Sequence, residues 1–351
     1  METILAKRIK SARLLAGLSL RQLSEKMDNL ISYNAISKYE KGKMLPDSKV
    51  LVQLAKALNV KVDYFFMPYG IKIDRVEFRK KSKLSAKKLN AIKESISDNI
   101  ARYVELESFL KMTYAFENPI QTIEIENGEQ VEEAVHKLVE EWDIGINAIP
   151  NVIELLEEKE IKVIEIDEDQ NFDGFSGWAN EQIPVIIINK NFSVERKRFT
   201  ALHELAHLLL NFKAGLTHKN VESLCNRFAS AMMMPKQTFL KELGQHRSRI
   251  SVSELIHLKE NYGMSIQAIM HRAKDLGVIG QQRYINFRKW ISADQDRKKE
   301  IGLGNYQGIE QSNRFNHLLH RAAAENIISM SKAANLADVK LAQFRDEFLT
   351  V

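Results

Sequence analysis

Two histidines four residues apart, inside a long apolar run, constrain the fold of this chain more than any other feature. The run is FTALHELAHLLL, and it places His203, Glu204 and His207 among apolar neighbours. On a helix, residues four apart share one face, so the two imidazoles can converge on one ion. Glu204 then lies beside a metal-bound water and can take its proton without binding the metal. The run therefore predicts a buried helix that holds a metal, and zinc (Zn2+) favours such ligands.

A catalytic zinc site needs a third protein ligand, and the next predicted helix, residues 221–233, supplies candidates. Glu222 is at its start, and a short loop between two antiparallel helices would bring it towards the histidines. Two histidines and a glutamate are a standard catalytic set. His218 in the loop and Cys225 one turn later are the alternatives, although a lone cysteine on an apolar helix is more often a core residue.

The charge of the chain is distributed unevenly. The net charge is +5, but residues 1–93 hold 21 Lys+Arg against 8 Asp+Glu, whereas the remainder holds 30 against 38. A basic region of this kind is typical of a polyanion binder, although a solvated basic surface gives the same count. A single cysteine fits a reducing compartment, and no run approaches the ~20 apolar residues of a membrane span. Cytoplasmic localisation, without a membrane partner, is the expectation.

The basic N-terminal residues read as a series of short helices. The third of these covers residues 33–40 and is capped by Ser32, and a loop containing Gly42 and Pro46 follows it. LSLRQLSEKM followed by ISKYEKGKMLPD resembles the Xre/Cro-type helix–turn–helix family, which implies double-stranded DNA as a partner and two-fold dimers as the binding form. The DNA-binding candidates are Ser32, Tyr33, Asn34, Ser37, Lys38, Lys41 and Lys43.

Different roles follow from the chemistry of these candidates. Asn34 can form paired hydrogen bonds with adenine, whereas Lys38, Lys41 and Lys43 suit phosphate. Two departures from the family pattern affect base contacts: Leu20 stands where glutamine is common, and the turn before the third helix is about two residues longer than usual. The alternative is a helix–turn–helix fold used for protein contact.

The period of apolar residues changes in the middle of the chain. Strands are predicted at 162–166, 174–179 and 185–188, and the glycine-containing segment 174–179 is predicted to be an edge strand. In zinc peptidases an edge strand can hold a substrate by β-augmentation. Phe175 and Trp178 are interpreted as packing residues or as specificity contacts. Helices are predicted at 90–112, 129–142, 150–159, 194–210, 221–233, 236–243, 253–262, 265–276, 314–331 and 338–348.

A second resemblance rests on RFTALHELAHLLL followed by ESLCNRFASAMMMP. From about Trp142 to Gly277 the chain resembles the ImmA/IrrE-type metallopeptidase family. The resemblance implies that a strand precedes the zinc helix. It also implies that the glutamate four residues before Asn226, here Glu222, is the third ligand. Methionines stand at 232–234 where leucines are commoner, and we expect only local repacking there.

The expected fold class is mainly α with a small sheet (α+β). An all-α helix–turn–helix domain at 1–68 is followed by a basic connector and long linker helix at 69–128. A zincin-like metallopeptidase domain at 129–280 and a helical C-terminal region at 281–351 complete the chain. The expected function is that of a DNA-binding regulator whose zinc endopeptidase domain cleaves a repressor or the chain itself. The alternative is a repressor or antitoxin-like regulator whose zinc domain is a sensor or protein-binding platform.

Overall fold

An N-terminal helical bundle opens the structure, which is a computed structural model and describes residues 3–66, 73–77, 86–112, 115–168 and 172–348. Its helices are α1 (Ile4–Leu15), α2 (Leu20–Lys26), α3 (Tyr33–Glu40) and α4 (Ser48–Leu58), followed by a 3-10 turn at Val62–Phe66. A polar side chain caps the start of each helix by accepting a backbone N–H. These caps are Thr3, Ser19, Ser32 and Asp47.

Helices also dominate the rest of the described chain, which confirms the predicted fold class. The elements are β1 (Ile73–Glu77), α5 (Ala86–Phe109), β2 (Glu124–Ile125), α6 (Gly128–Glu141), α7 (Val152–Glu158), β3 (Lys162–Ile166), β4 (Gly174–Ala179), β5 (Ile183–Asn189), α8 (Val194–Leu209), β6 (Asn211–Phe212), α9 (His218–Met233), α10 (Lys236–Leu243), α11 (Val252–Tyr262), α12 (Ile266–Asp275), α13 (Gln281–Ser292), α14 (Gln295–Lys298), α15 (Arg314–Ala324), α16 (Met330–Leu336) and α17 (Leu341–Glu347). None of the helices in the described ranges has the length and apolar character that crossing a membrane requires.

The main sheet has four strands in the order β1-β4-β5-β3. β3 and β5 are parallel, whereas β4 is antiparallel to both of its neighbours. The prediction that residues 174–179 form an edge strand is therefore wrong, because β1 covers that edge. β1 was not predicted, since its five residues, IDRVE, include three charged ones and show no regular alternation. Residues 67–72 and 78–85, which include most of the predicted basic connector, lie outside the described ranges.

Helices cover both faces of this sheet. On one face, α5 packs Ile92, Ile96 and Ile100 in a cluster with Phe175 and Val185. On the other face, α8 belongs to the larger core that includes alternate residues of β5. A strand buried on both faces is apolar at every position, which explains the VIII run in β5.

The long helix α5 contacts three parts of the molecule. In its first half and middle, Glu94 accepts a hydrogen bond from Ser11 of α1 at 2.5 Å and Asp98 accepts one from Arg8 at 2.8 Å. The same stretch of α5 packs its isoleucines on the sheet. Towards its end, Leu106 lies in one apolar cluster with residues of α15 and α16. The N-terminal bundle, the sheet and the C-terminal helices therefore all pack against this one helix.

The C-terminal region differs from its prediction. A single helix at 314–331 was expected, but α15 ends at Ala324 and α16 begins at Met330. Asn326 adopts a left-handed φ of 54°, which ends helical geometry, and Ser329 then caps the new helix α16. The helices α13 and α14 were not predicted.

The irregular segment that precedes α15 is attached to the core by a buried carboxylate. Glu310 accepts hydrogen bonds from the backbone N–H groups of Val152 and Ile153, each at 3.0–3.1 Å, at the start of α7. It also pairs with Arg198 of α8, and both side chains are fully buried. The segment therefore connects α7 to the histidine-bearing helix.

Candidate metal centre

The histidine pair lies on α8, which Ser193 caps at its N-terminus. His203 and Glu204 are both 0% exposed, and His207 is half-buried. The helix is sandwiched between the sheet and α9, so its polar residues face protein on most sides. Buried polar side chains of this kind require partners or a bound ion, because their desolvation is costly.

The atoms that could hold an ion converge between α8 and α9. His203 Nε2 and His207 Nε2 are 3.2 Å apart. The Glu222 carboxylate lies 3.3 Å from His207 Nε2 and 3.7 Å from His203 Nε2. Two tetrahedral ligands that bind zinc at ~2.0–2.1 Å are roughly 3.3–3.4 Å from each other. The three donor groups are therefore close enough together to hold one metal ion.

The other nitrogen of each histidine has its own neighbour. Asn226 Oδ1 lies 2.8 Å from His203 Nδ1, so Nδ1 donates and Nε2 presents its lone pair. Cys225 Sγ lies 3.7 Å from His207 Nδ1. These contacts orient the rings from the side opposite to Nε2.

The alternatives for the third ligand occupy different positions. His203, His207 and Cys225 do form a group whose ligand atoms lie within 4.8 Å of one another. The thiol, however, approaches the Nδ1 side of His207, whereas Glu222 approaches the Nε2 atoms of both histidines. His218 is the exposed first residue of α9. The geometry thus favours Glu222 over Cys225 and His218.

Glu204, the candidate general base, contacts a strand of the sheet. Ser176 of β4 donates a hydrogen bond to Glu204 Oε2 at 3.0 Å, and both side chains are buried. The sequence reasoning missed Ser176, whose only signal was a small polar residue within the apolar strand GFSGWA. Asn226 was noted only as a landmark of the family motif. Both contacts depend on how separate elements pack, which residue spacing does not show.

The candidate DNA-binding residues lie on or after α3. Tyr33, Asn34 and Lys38 are exposed, as are Lys41 and Lys43 in the loop that follows, while Ser37 is half-buried. Ser32 caps α3 by accepting the N–H of Ala35 at 3.2 Å. All seven candidates therefore lie at the N-cap of α3, on that helix or in the residues that follow it.

Two further features of this surface concern the turn before α3. Asp28 and Asn29 have φ values of 53° and 54°, left-handed conformations that Asp and Asn tolerate better than most residues. They fit the longer turn that the sequence indicated. The guanidinium of Arg21 lies over the ring of Tyr33, 5.4 Å from its centroid, and it adds a cation that sequence reasoning did not select.

Fold and site together define a class of protein: a helix–turn–helix bundle joined to an α+β domain with a metallopeptidase-type histidine helix. Comparison with protein families agrees. The helix-turn-helix family matches residues 9–65, and the IrrE N-terminal-like domain family matches residues 156–274. No curated protein matches the chain. The predicted architecture is thus confirmed, with an Xre-type helix–turn–helix domain and an ImmA/IrrE-like domain fused in one DNA-binding regulator.

Proposed function

We propose that this regulator is also a zinc-dependent endopeptidase that cleaves a regulatory protein, most naturally a repressor, or its own chain. One observation carries the proposal: the Nε2 atoms of His203 and His207 and the Glu222 carboxylate converge beside the buried Glu204. A carboxylate that follows the first histidine and points from the same buried helix is in the position that a general base requires.

Each side chain has a distinct task in this proposal. His203, His207 and Glu222 would hold the ion, which when bound would polarise the scissile carbonyl and lower the pKa of a bound water. Glu204 accepts the proton of the attacking water and returns it to the leaving amine. Ser176 fixes the orientation of that carboxylate, and Asn226 fixes the tautomer of His203.

In this proposal the N-terminal bundle binds DNA, so the peptidase acts in gene regulation. Residues 1–93 carry a balance of +13, and the exposed face of α3 presents Asn34 and Lys38. Affinity for DNA would come chiefly from phosphate contacts, and sequence preference from base contacts. Binding to paired half-sites would require two chains related by two-fold symmetry.

The test combines a metal measurement with a substrate trap. Purified Glu204→Gln should retain one zinc per chain and capture a protein that the wild type cleaves, identified by pull-down and mass spectrometry. His203→Ala should lose the metal and the cleavage together. Zinc-free wild-type protein, or cleavage that survives both substitutions, would refute the proposal.

A second candidate function is regulation in which the zinc domain senses or binds a partner with little turnover. The contacts of α5 favour it, because Asp98 and Glu94 bind α1 while Ile96 packs on the sheet. In that case zinc removal changes operator affinity, and Glu204→Gln behaves as wild type in every assay. A gel-shift titration with and without chelator, on both proteins, separates the two functions.

A further inference from the structure

A segment of the connector occupies the strand edge nearest to the candidate base. β1 pairs with β4 in the antiparallel direction, with Ile73 opposite Ala179, Asp74 opposite Trp178 and an irregularity before Glu77. This pairing involves backbone groups, which makes it largely independent of the side chains of the added strand. Any extended segment of suitable length could in principle take the same place.

The register connects this strand to the metal centre. Glu77 is opposite Ser176. The Ser176 side chain in turn donates to Glu204. One residue of β4 therefore pairs with β1 through its backbone and holds the candidate base through its side chain. β1 lies along the strand on which an extended peptide would have to align to reach that base.

Because zinc peptidases align a substrate along such an edge, we propose that β1 is the resident occupant of the β4 edge and that a substrate peptide must displace it. The inference rests on the proposed function, because it takes the docked peptide to be a substrate. Its partner is an extended segment of protein that adds antiparallel to β4. Because β1 belongs to the same chain, its effective concentration at the edge is on the order of millimolar, which disfavours peptides that bind weakly.

The position of β1 in the sequence, directly after the N-terminal bundle, relates its occupancy of the β4 edge to that bundle. The strand lies between the DNA-binding bundle and α5, so a displacement of β1 alters the connection between the two. Substrate docking would therefore change this connection, while the contacts of Arg8 and Ser11 with α5 would keep the bundle attached to that helix.

The experiment uses three versions of the full-length Glu204→Gln protein. In the first, the sequence is otherwise unchanged. In the second, Ile73→Cys and Ala179→Cys allow a disulfide between two residues paired across the strands, a geometry that disulfides accept. In the third, residues 73–77 are replaced by alternating Gly and Ser, which lowers strand propensity and keeps the length. Ile73→Cys alone is the control for the lock.

The probe is a fluorescent peptide with the sequence of residues 71–79, and its binding is followed by fluorescence anisotropy. The Gly/Ser chain should bind it at least 10-fold more tightly than the locked chain, and reductant should weaken this difference. Hydrogen exchange of residues 174–179 should be faster in the Gly/Ser chain and slow again when the peptide is added. Equal binding by locked and Gly/Ser chains, or absence of binding by the Gly/Ser chain, would overturn the inference.

These readouts do not depend on catalysis. Zinc content and cleavage decide the proposed function, whereas peptide affinity and exchange at β4 decide the occupancy of the edge. If the protein binds the peptide as described but cleaves no protein, the inference about the β4 edge stands and the proposed peptidase function is refuted.

Discussion

Polar side chains are used in opposite ways at the metal centre and on the DNA-binding face. His203 and Glu204 are fully buried, and each has a protein partner within 3.0 Å. On α3 and after it, Asn34, Lys38 and Lys41 are exposed to solvent. The first region is assembled by the fold before any ligand arrives, whereas the second is completed only by its ligand.

This difference predicts a difference in sensitivity. A buried polar group that loses its partner keeps its desolvation cost, so single substitutions in the metal-bearing domain should have large effects. An exposed side chain returns to water when its ligand contact is removed, so substitutions on α3 should have moderate ones. Five experiments test this contrast.

The largest effect is expected from removal of a metal ligand. His207→Ala and Glu222→Ala should each weaken zinc binding by more than about 100-fold, because each removes one of three ligands. Loss of a residue that only contacts a ligand typically costs less than this. Cys225→Ser is the matched control on the same helix and should retain zinc with affinity within about 10-fold of wild type. Competition with a chromophoric chelator measures all three. If Cys225→Ser lost zinc while Glu222→Ala retained it, the thiol would be the third ligand.

The next effect concerns the buried ion pair between α8 and the segment before α15. Arg198→Met leaves Glu310 buried without its cation and should destabilise the domain by about 3–5 kcal/mol, because the carboxylate remains desolvated. Urea unfolding followed by tryptophan fluorescence measures the loss. Arg321→Met removes the exposed pair with Glu325 and should leave the unfolding midpoint unchanged. Equal shifts in the two variants would remove the contrast between buried and exposed pairs.

The sequence predicted much of this contrast, but not the contacts that complete it. β3, β4 and α3 have the predicted bounds, because alternation, glycine and a Ser cap are local signals. The His203–His207 pair follows from helical spacing alone. β1 was missed because only its pairing with β4 makes it a strand, and Ser176 and Asn226 were missed because their partners lie on other elements. Long-range packing thus supplied what the local pattern lacked.

A buried carboxyl away from the metal sharpens the comparison through pH. Burial raises the pKa of Glu157 to about 7, and hydrogen bonds from Ser312 and the charge of Arg314 only partly oppose this. Because the pKa is raised above its unfolded value, the folded state binds the extra proton between pH 4.5 and 7. The stability from this group is therefore present below about pH 4.5 and is lost as the pH rises through 7.

The magnitude of this pH effect follows from the size of the shift. A change from 4.5 to about 7 corresponds to roughly 3 kcal/mol. The free energy of unfolding of Glu157→Gln, relative to that of the wild type, should therefore be higher at pH 8 than at pH 4.5 by about 3 kcal/mol. Urea midpoints of both proteins at the two pH values give the difference, in which the other titrating groups cancel. Parallel pH profiles would show that Glu157 ionises normally in the fold.

On the DNA-binding face, Asn34 should have the larger role among the candidates. Asn34→Ala should weaken binding to a selected DNA site by about 1–3 kcal/mol and relax the preference at one base pair, because a paired contact with adenine is lost. Sites selected from random duplexes by the wild type and by the variant measure both effects. If the two proteins selected the same site with the same affinity, α3 would not read that base.

The smallest effect is expected from a single phosphate contact. Lys41→Gln should weaken binding to every duplex by a similar factor and reduce the slope of log affinity against log salt by about 0.9. Lys289→Gln, which neutralises an exposed lysine on α13, is the matched control and should leave the slope unchanged. A salt titration by fluorescence anisotropy distinguishes the two variants. Because Lys41 returns to water when DNA is absent, its substitution should leave the unfolding midpoint at the wild-type value. A loss of stability in Lys41→Gln as large as that in Arg198→Met would show that the DNA-binding face, like the metal centre, depends on contacts made within the fold.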